Sequence, residues 1–121
     1  MSTILLVEDE DMLRNLLKDL LLHRGFQVAD APSGNDALEI CDGGLVPDLV
    51  VSDVAMPGMN GEVLVEILRK RYVGIKVIFM SGYAGSSTTA IQNTLLEEGV
   101  AYLQKPFRMA TLVEKIKELL A

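Results

Sequence analysis

Residues 49–61 read LVVSDVAMPGMNG, and this stretch decides the fold. Its first half is almost wholly apolar, which is typical of a strand buried on both faces of a sheet. The strand ends on the carboxylate of Asp53, and a loop rich in proline and glycine follows. The stretch therefore predicts that Asp53 lies at an exposed sheet edge, although an aspartate at a strand end also commonly begins a turn.

Three other apolar segments also predict strands, and the alternating segment 26–30 predicts a half-exposed edge strand. A segment with apolar residues at helical spacing follows each of the five. The predicted strands cover residues 3–7, 26–30, 49–53, 75–80 and 100–103. The predicted helices are marked by residues 13–21, 33–41, 63–68, 86–98 and 112–120, of which 86–98 has the fewest large apolar side chains. Alternating strands and helices require a parallel sheet covered on both faces, so we predict one three-layer α/β domain.

The composition of the chain argues against several classes of function. Of the 121 residues 50% are hydrophobic, which is enough for one well-covered core. A formal net charge of −6 argues against a surface that neutralises nucleic-acid phosphates, so we expect no direct nucleic-acid binding. The single cysteine, Cys41, fits a reducing compartment and lies at an apolar position, as a core residue would. No apolar run approaches about 18 residues and no cationic leader is present, so we expect no membrane span and a cytoplasmic location.

Polar side chains with complementary chemistry stand at the predicted carboxyl ends of the strands. Glu8 and Asp9 follow the first strand, Asp53 ends the third, Ser81 follows the fourth and Lys105 follows the fifth. In an open parallel sheet, ligands bind beyond the carboxyl ends of the strands, where the strand order reverses. If the order is 2-1-3-4-5, which is the flavodoxin-like order, the three carboxylates meet at that point.

Three carboxylates at one site repel one another, by about 1 kcal/mol per pair at about 4 Å in water and several-fold more in a partly buried cleft. Mg²⁺ removes this repulsion, and it binds carboxylate and carbonyl oxygens while keeping positions for water and a phosphoryl oxygen; Mn²⁺ accepts the same ligands. Lys105 adds a fixed positive charge and Ser81 a hydroxyl donor. Together these groups predict a phosphoryl cradle in which Asp53 is the nucleophile. Taken singly, Lys105 also fits an ordinary surface lysine and Ser81 a turn residue.

With these residues the chain resembles the receiver domain of bacterial two-component response regulators. The matching segments are LLVEDE at 5–10, DVAMP at 53–57 with Gly61, MSGY at 80–83 and YLQKPF at 102–107. The resemblance covers the whole chain. It implies a single receiver domain over residues 1–121 with a flavodoxin-like (βα)5 three-layer sandwich, whose five-stranded parallel sheet has the order 2-1-3-4-5.

The resemblance implies that Asp53 accepts a phosphoryl group from a phosphohistidine on a sensor histidine kinase or a histidine phosphotransfer protein. It also implies that Asp9, Asp53 and the main-chain carbonyl of Ala55 bind Mg²⁺ directly. Glu8 would act largely through water; an aspartate is usual at this position, and a water-mediated role is expected to tolerate the longer side chain. The chain would then be a phosphoacceptor signalling domain, not an enzyme, that promotes its own phosphorylation and dephosphorylation.

Further roles follow from the same resemblance. Ser81 and Tyr102 match the family's switch pair, the Lys105–Pro106 bond is expected to be cis, and Tyr83 is expected to shield the phosphoryl site. Phosphorylation would draw the Ser81 hydroxyl toward the phosphate and let Tyr102 turn inward. That would alter the surface formed by the fourth predicted helix, the fifth strand and the last helix, where a downstream protein, an output domain or a second phosphorylated copy would bind.

Several alternatives are weighed against this interpretation. A haloacid dehalogenase-type phosphatase needs a second carboxylate two residues after its nucleophile, and this chain has Ala55 there. A flavodoxin relative needs a neutral phosphate loop where Glu8 and Asp9 stand. A degenerate receiver that binds partners without being phosphorylated stays open. Residues 80–84, MSGYA, also resemble receivers fused to hybrid histidine kinases, so a free-standing receiver and one cut from such a kinase both fit.

Overall fold

The structure is a computed structural model and describes residues 2–82 and 99–121. Five parallel strands form one sheet in the order β2-β1-β3-β4-β5, which confirms the predicted flavodoxin-like α/β fold. The strands are β1 (Thr3–Val7), β2 (Gln27–Ala31), β3 (Leu49–Asp53), β4 (Lys76–Ser81) and β5 (Val100–Gln104). The helices of the described ranges are α1 (Asp11–His23), α2 (Gly34–Asp42), α3 (Gly61–Arg71) and α4 (Met109–Leu120). The predicted helix at residues 86–98 lies outside the described residues.

Three strands extend one residue further along the chain than the apolar pattern indicated. They were predicted to end at residues 30, 80 and 103, but β2, β4 and β5 end at Ala31, Ser81 and Gln104. In the sheet, Ala31 pairs with Val7 and Ser81 pairs with Gln104. Main-chain hydrogen bonding does not depend on side-chain polarity, so β4 and β5 continue into the polar residues Ser81 and Gln104.

Polar side chains cap two of the helices. The Ser33 hydroxyl accepts a hydrogen bond from the Asp36 N–H at 3.1 Å, and the Asn60 side chain accepts one from the Val63 N–H at 2.9 Å. Each side chain partners one of the N–H groups that a helix start leaves unpaired. The basic run 69–71 closes α3, as expected for cations at the negative end of a helix dipole.

Helices cover both faces of the sheet, because alternate strand residues point to opposite sides. On one face, Leu5 and Phe79 belong to a buried cluster with residues of α2 and α3. On the other, Ile4 and Met80 belong to a cluster with residues of α1 and α4. Cys41 is buried in the first cluster, which confirms the prediction that it is a core residue.

Two residues of the apolar pattern face outward. Leu16 on α1 is 54% exposed and Val63 on α3 is 45% exposed. Each helix packs only one stripe of its side chains against the sheet. Leu17 and Leu64, the next residues along the chain, lie on that stripe and are buried. Within residues 2–82 and 99–121, no helix is long and apolar enough to cross a membrane.

Candidate functional site

The strand order brings three carboxylates together at the carboxyl end of the sheet. β1 and β3 are neighbours and Val7 pairs with Ser52, so Glu8 lies beside Asp53. Among the described residues, one carboxylate oxygen each from Glu8, Asp9 and Asp53 lie within 4.8 Å of one another. Glu8 and Asp53 are buried, whereas Asp9 is exposed. The cluster therefore combines two desolvated carboxylates with one that faces solvent.

Lys105 pairs with two members of this cluster. Its Nζ lies 2.6 Å from Glu8 Oε1 and 3.1 Å from Asp53 Oδ2. The Lys105–Pro106 peptide bond is cis, and the Lys105 main-chain N–H donates to the Ser81 carbonyl at 2.6 Å. Burial by itself lowers the pKa of Lys105, but the hydrogen bonds to Glu8 and Asp53 together with the charges of these two carboxylates outweigh burial and leave that pKa raised. The ammonium group therefore stays charged at neutral pH.

Both carboxylate oxygens of Glu8 have protein partners. Oε1 accepts from Lys105, and Oε2 accepts from the Glu10 main-chain N–H at 3.0 Å. Burial raises the pKa of Glu8, and the hydrogen bonds from Lys105 and Glu10 offset only part of that rise. The family resemblance implies a water-mediated contact between Glu8 and a metal, and in the structure the Glu8 carboxylate is paired with Lys105. A cation that recruits Glu8 must therefore compete with the Lys105 ammonium.

Close main-chain packing holds Asp53 in place. The Val54 N–H donates to the Met80 carbonyl at 2.9 Å, and the Gly61 N–H donates to the Val54 carbonyl at 2.9 Å. The Ser52 hydroxyl donates to the Asp53 carbonyl at 3.0 Å. A Cβ atom at Gly61 would lie 3.0 Å from Ser52 Oγ and from the Asp53 carbonyl carbon, and closer still to the Asp53 carbonyl oxygen. Lack of space therefore requires a glycine where α3 begins.

The predicted switch residues lie on the neighbouring strands β4 and β5. Ser81 ends β4 and is buried. Tyr102 packs against the cluster that contains Phe79, and its buried hydroxyl has no hydrogen-bond partner among the described residues. Tyr102 was expected to turn inward after phosphorylation, but its hydroxyl is already buried in this structure. Ala55 is exposed in the loop after β3, and Tyr83 lies outside the described residues.

Arg14 was not predicted to belong to the site, yet it contacts the site's main chain. Its guanidinium group donates to the Glu8 carbonyl at 2.9 Å and to the carboxylates of Asp11 and Asp30. The signal in the sequence is the i,i+3 spacing of Asp11 and Arg14, which is typical of any solvated helix face. The bond to Glu8 depends on how the chain bends between β1 and α1, so a local pattern does not reveal it.

Residues 4–117 match the family model described as the response regulator receiver domain. The sensor kinase CckA of Brucella abortus is 45% identical over 121 residues, which are 98% of this chain and 12% of that protein. The response regulator protein FleR of Pseudomonas aeruginosa is 37% identical over 116 residues, which are 95% of this chain and 24% of that protein. The chain thus spans a minor part of the length of these relatives.

Solved structures are similar across nearly the whole chain. The receiver domain of the hybrid histidine kinase CckA has a TM-score of 0.81 and 36% identity, covering 99% of this chain and 100% of that one. A CheY-like receiver domain protein from Methanospirillum hungatei has a TM-score of 0.87 and 30% identity, covering 99% and 94%. The response regulator TrrA of Thermotoga maritima, solved in complex with Mg²⁺-BeF, has a TM-score of 0.83 and 32% identity, covering 98% and 99%.

Proposed function

The chain belongs to the response regulator receiver domain family of two-component signalling, and on that premise we propose that Asp53 is its phosphoacceptor. Phosphoryl transfer to an aspartate is general in this family. The observation that carries the proposal is the setting of Asp53, a buried carboxylate at a strand end with the Lys105 ammonium 3.1 Å from one oxygen. Glu8 and Asp9 lie beside it and supply oxygen ligands for a cation.

The proposed reaction is in-line transfer from a phosphohistidine on a histidine kinase or histidine phosphotransfer protein. A carboxylate oxygen of Asp53 attacks phosphorus, and the new O–P bond forms as the P–N bond to the donor imidazole breaks. The electron pair of the broken bond leaves with the imidazole nitrogen. The Lys105 ammonium offsets negative charge on the phosphoryl oxygens, and the Ser81 hydroxyl would donate to one of them. Lys105 must then turn from Glu8 toward the phosphoryl group.

Receiver domains generally bind Mg²⁺, and the donor set of this chain fits that ion. Carboxylates are the hard oxygen ligands that Mg²⁺ prefers, and three of them lie within 4.8 Å of one another. We propose Asp9, Asp53 and the main-chain carbonyl of Ala55 as direct ligands, with Glu8 acting through water; Mn²⁺ would fit the same set. When bound, the ion neutralises charge on the carboxylates and on the transferred group. The Mg²⁺-BeF complex of the relative TrrA supports this proposal.

The test is phosphorylation of the purified chain by acetyl phosphate, read by intact-protein mass. We expect one added phosphoryl group on the wild type with Mg²⁺, and none after chelation or in Asp53→Asn. Asp48→Asn is the matched control, because Asp48 precedes the same strand at its opposite end, where its carboxylate accepts from the Thr3 N–H at 2.8 Å. This control should be phosphorylated like the wild type. A full adduct on Asp53→Asn would refute the assignment of Asp53.

The same assay separates the competing interpretations. A degenerate receiver would gain no mass under any of these conditions. A dehalogenase-type phosphatase would hydrolyse phosphate esters, but the position that would carry its acid-base carboxylate is Ala55. An adduct that forms with Mg²⁺ and persists through the mass measurement favours the receiver.

We propose that the phosphodonor protein docks over α1 and the start of α4. Met12 and Leu16 on α1 are 82% and 54% exposed, and apolar surface beside a reaction site is typical of protein-binding surfaces. A pocket of about 400 Å³ adjoins Lys105 and is lined by Leu13, Gly82, Lys105, Pro106, Phe107 and Met109. Substituting Met12 and Leu16 with serine should slow transfer from a phosphorylated histidine protein and leave acetyl phosphate phosphorylation unchanged. Equal slowing of both reactions would contradict this docking surface.

We propose that Ser81 and Tyr102 carry the conformational response to phosphorylation. Recruitment of the Ser81 hydroxyl by the phosphoryl group would change the environment of the buried Tyr102 hydroxyl and the surface of β5 and α4, to which the helix predicted at residues 86–98 is expected to contribute. Amide exchange across residues 81–107 should therefore change when a beryllofluoride mimic is added. Tyr83 is proposed to shield the phosphoryl group, so the phosphate should decay faster in Tyr83→Ala. Unchanged exchange would contradict the switch, and equal decay rates would contradict the shielding.

A further inference from the structure

Arg14 ties together three segments next to the carboxylate cluster. Its Nη1 donates to the Glu8 main-chain carbonyl at 2.9 Å, its Nε to Asp30 Oδ2 on β2 at 3.2 Å, and its Nη2 to Asp11 Oδ1 at 2.7 Å. The side chain is only 13% exposed. One planar guanidinium group therefore meets the end of β1, the edge strand β2 and the first turn of α1.

The charge and the orientation of Arg14 are both held by these partners. Burial by itself lowers the pKa of Arg14, but the hydrogen bonds and charges of Asp11 and Asp30 outweigh it and leave that pKa raised. Because the donors of a guanidinium group lie in a rigid plane, three contacts in different directions leave it little freedom to rotate. Arg14 is thus a permanent cation in a set orientation.

The carbonyl that Arg14 holds belongs to the peptide plane between Glu8 and Asp9. A peptide unit is planar, so the direction of the Glu8 carbonyl sets the orientation of the Asp9 N–H and Cα in the same plane. The preceding peptide is held as well, since the Glu8 N–H donates to the Ala31 carbonyl at 3.1 Å. If the bond from Arg14 were lost, the plane could rotate and carry the Asp9 carboxylate away from Asp53.

We infer that Arg14 is a positioning residue for the metal-binding carboxylates, because it orients the Glu8–Asp9 peptide plane and thereby the Asp9 side chain. The inference rests on the proposed function, in which Asp9 is a ligand of Mg²⁺. It adds a residue that touches neither the metal nor the phosphoryl group.

Charge and positioning predict opposite effects of removing Arg14. A cation near the cluster repels Mg²⁺, so a role through charge alone predicts tighter Mg²⁺ binding when Arg14 is replaced by an uncharged residue. A positioning role predicts weaker binding. Loss of a group that orients a metal ligand typically costs roughly 10- to 100-fold in metal affinity, and we expect about tenfold for Arg14→Met.

The experiment measures Mg²⁺ dissociation constants by isothermal titration calorimetry at a temperature where circular dichroism shows every variant folded. Lys18→Met is the matched control, since it lies on the same helix, loses the same charge and pairs with the same carboxylate, Asp30, at 3.1 Å. Arg14→Lys keeps the positive charge but replaces the planar guanidinium group, whose separate nitrogens reach Glu8, Asp11 and Asp30 together, with a single ammonium group. Amide chemical shifts of Asp9, recorded without Mg²⁺, report both the hydrogen bond on the Glu8 carbonyl and the orientation of the peptide plane that contains it.

We expect the dissociation constant to rise about tenfold in Arg14→Met, to rise less in Arg14→Lys, and to stay the same or fall in Lys18→Met. The Asp9 amide shift should move in Arg14→Met and not in Lys18→Met. Unchanged or tighter Mg²⁺ binding in Arg14→Met, or equal weakening in Lys18→Met, would overturn the inference. A wild type that neither binds Mg²⁺ nor accepts phosphate from acetyl phosphate would instead show that the proposed function has failed.

Discussion

Gly61→Ala adds one methyl group where α3 meets the main chain of Asp53. The new Cβ atom would lie 3.0 Å from the Asp53 carbonyl carbon and from Ser52 Oγ, and closer still to the Asp53 carbonyl oxygen. Two of these three atoms belong to the main chain, so they cannot rotate aside as the end of a flexible side chain would. The first turn of α3 and the end of β3 must therefore separate by on the order of 1 Å in a close-packed region.

The cost of that separation can be worked from known packing energies. Overpacking of a well-packed site costs about 1–3 kcal/mol, and an obstacle made of main chain favours the upper half of that range. Alanine is a better helix former than glycine by up to about 1 kcal/mol in a helix interior, and by less at the first helical position. We expect a net loss of about 2 kcal/mol in the free energy of unfolding. Over 121 residues this lowers Tm by roughly 8 °C.

The same movement should impair the site. Asp53 Oδ2 lies 3.1 Å from Lys105 Nζ, and a shift of the Asp53 main chain changes that distance directly. A displacement of about 1 Å at a reacting group can cost about 100-fold in rate. We therefore expect phosphorylation of Gly61→Ala by acetyl phosphate to be slower by roughly 10- to 100-fold at saturating Mg²⁺.

Urea denaturation, thermal melting and the rate of mass increase with acetyl phosphate measure these effects. Gly43→Ala is the matched control, because Gly43 has a φ of −75° and a Cβ there meets the Ile40 carbonyl at 3.4 Å, an ordinary contact. Its stability should stay within about 0.5 kcal/mol of the wild type and its phosphorylation rate should be unchanged. If Gly61→Ala behaves like Gly43→Ala in both measurements, the packing argument is wrong.

Three further predictions concern charges and a helix cap. Lys105→Met should bind Mg²⁺ more tightly, because the ammonium that competes for Glu8 and Asp53 is gone, and should accept phosphate more slowly; weaker binding by calorimetry would contradict this. The raised pKa of Glu8 means that the folded state keeps this proton at pH values where the unfolded chain has lost it. The free energy of unfolding of the wild type relative to Glu8→Gln should therefore fall as pH rises from about 4.3 through the folded pKa, and urea titrations without Mg²⁺ that show a rise would exclude it. Ser33→Ala removes the side chain that accepts from the Asp36 N–H and should cost about 1 kcal/mol in urea denaturation, with Mg²⁺ binding unaffected.

The layered fold could be predicted from short segments. A strand buried on both faces must be apolar throughout, so each central strand was visible as a continuous run of apolar residues. The approximate location of the site followed too, because the carboxyl ends of parallel strands share one edge and the polar residues after those runs had to converge there. Strand ends were less certain, since β4 and β5 continue through main-chain pairing to Ser81 and Gln104.

Contacts between distant segments could not be predicted. Lys105 was expected to supply a positive charge beside Asp53, and its ammonium group does lie 3.1 Å from that carboxylate. Its shortest contact, however, is with Glu8, which lies 97 residues away along the chain and was not predicted as its partner. Which carboxylate a flexible ammonium group approaches depends on distances of a few tenths of an ångström, and only the packing of several segments sets these. The requirement for glycine at position 61 and the bond from Arg14 to the Glu8 carbonyl arise in the same way. Periodicity thus identifies the face and the edge on which a residue lies, whereas three-dimensional packing selects its partner.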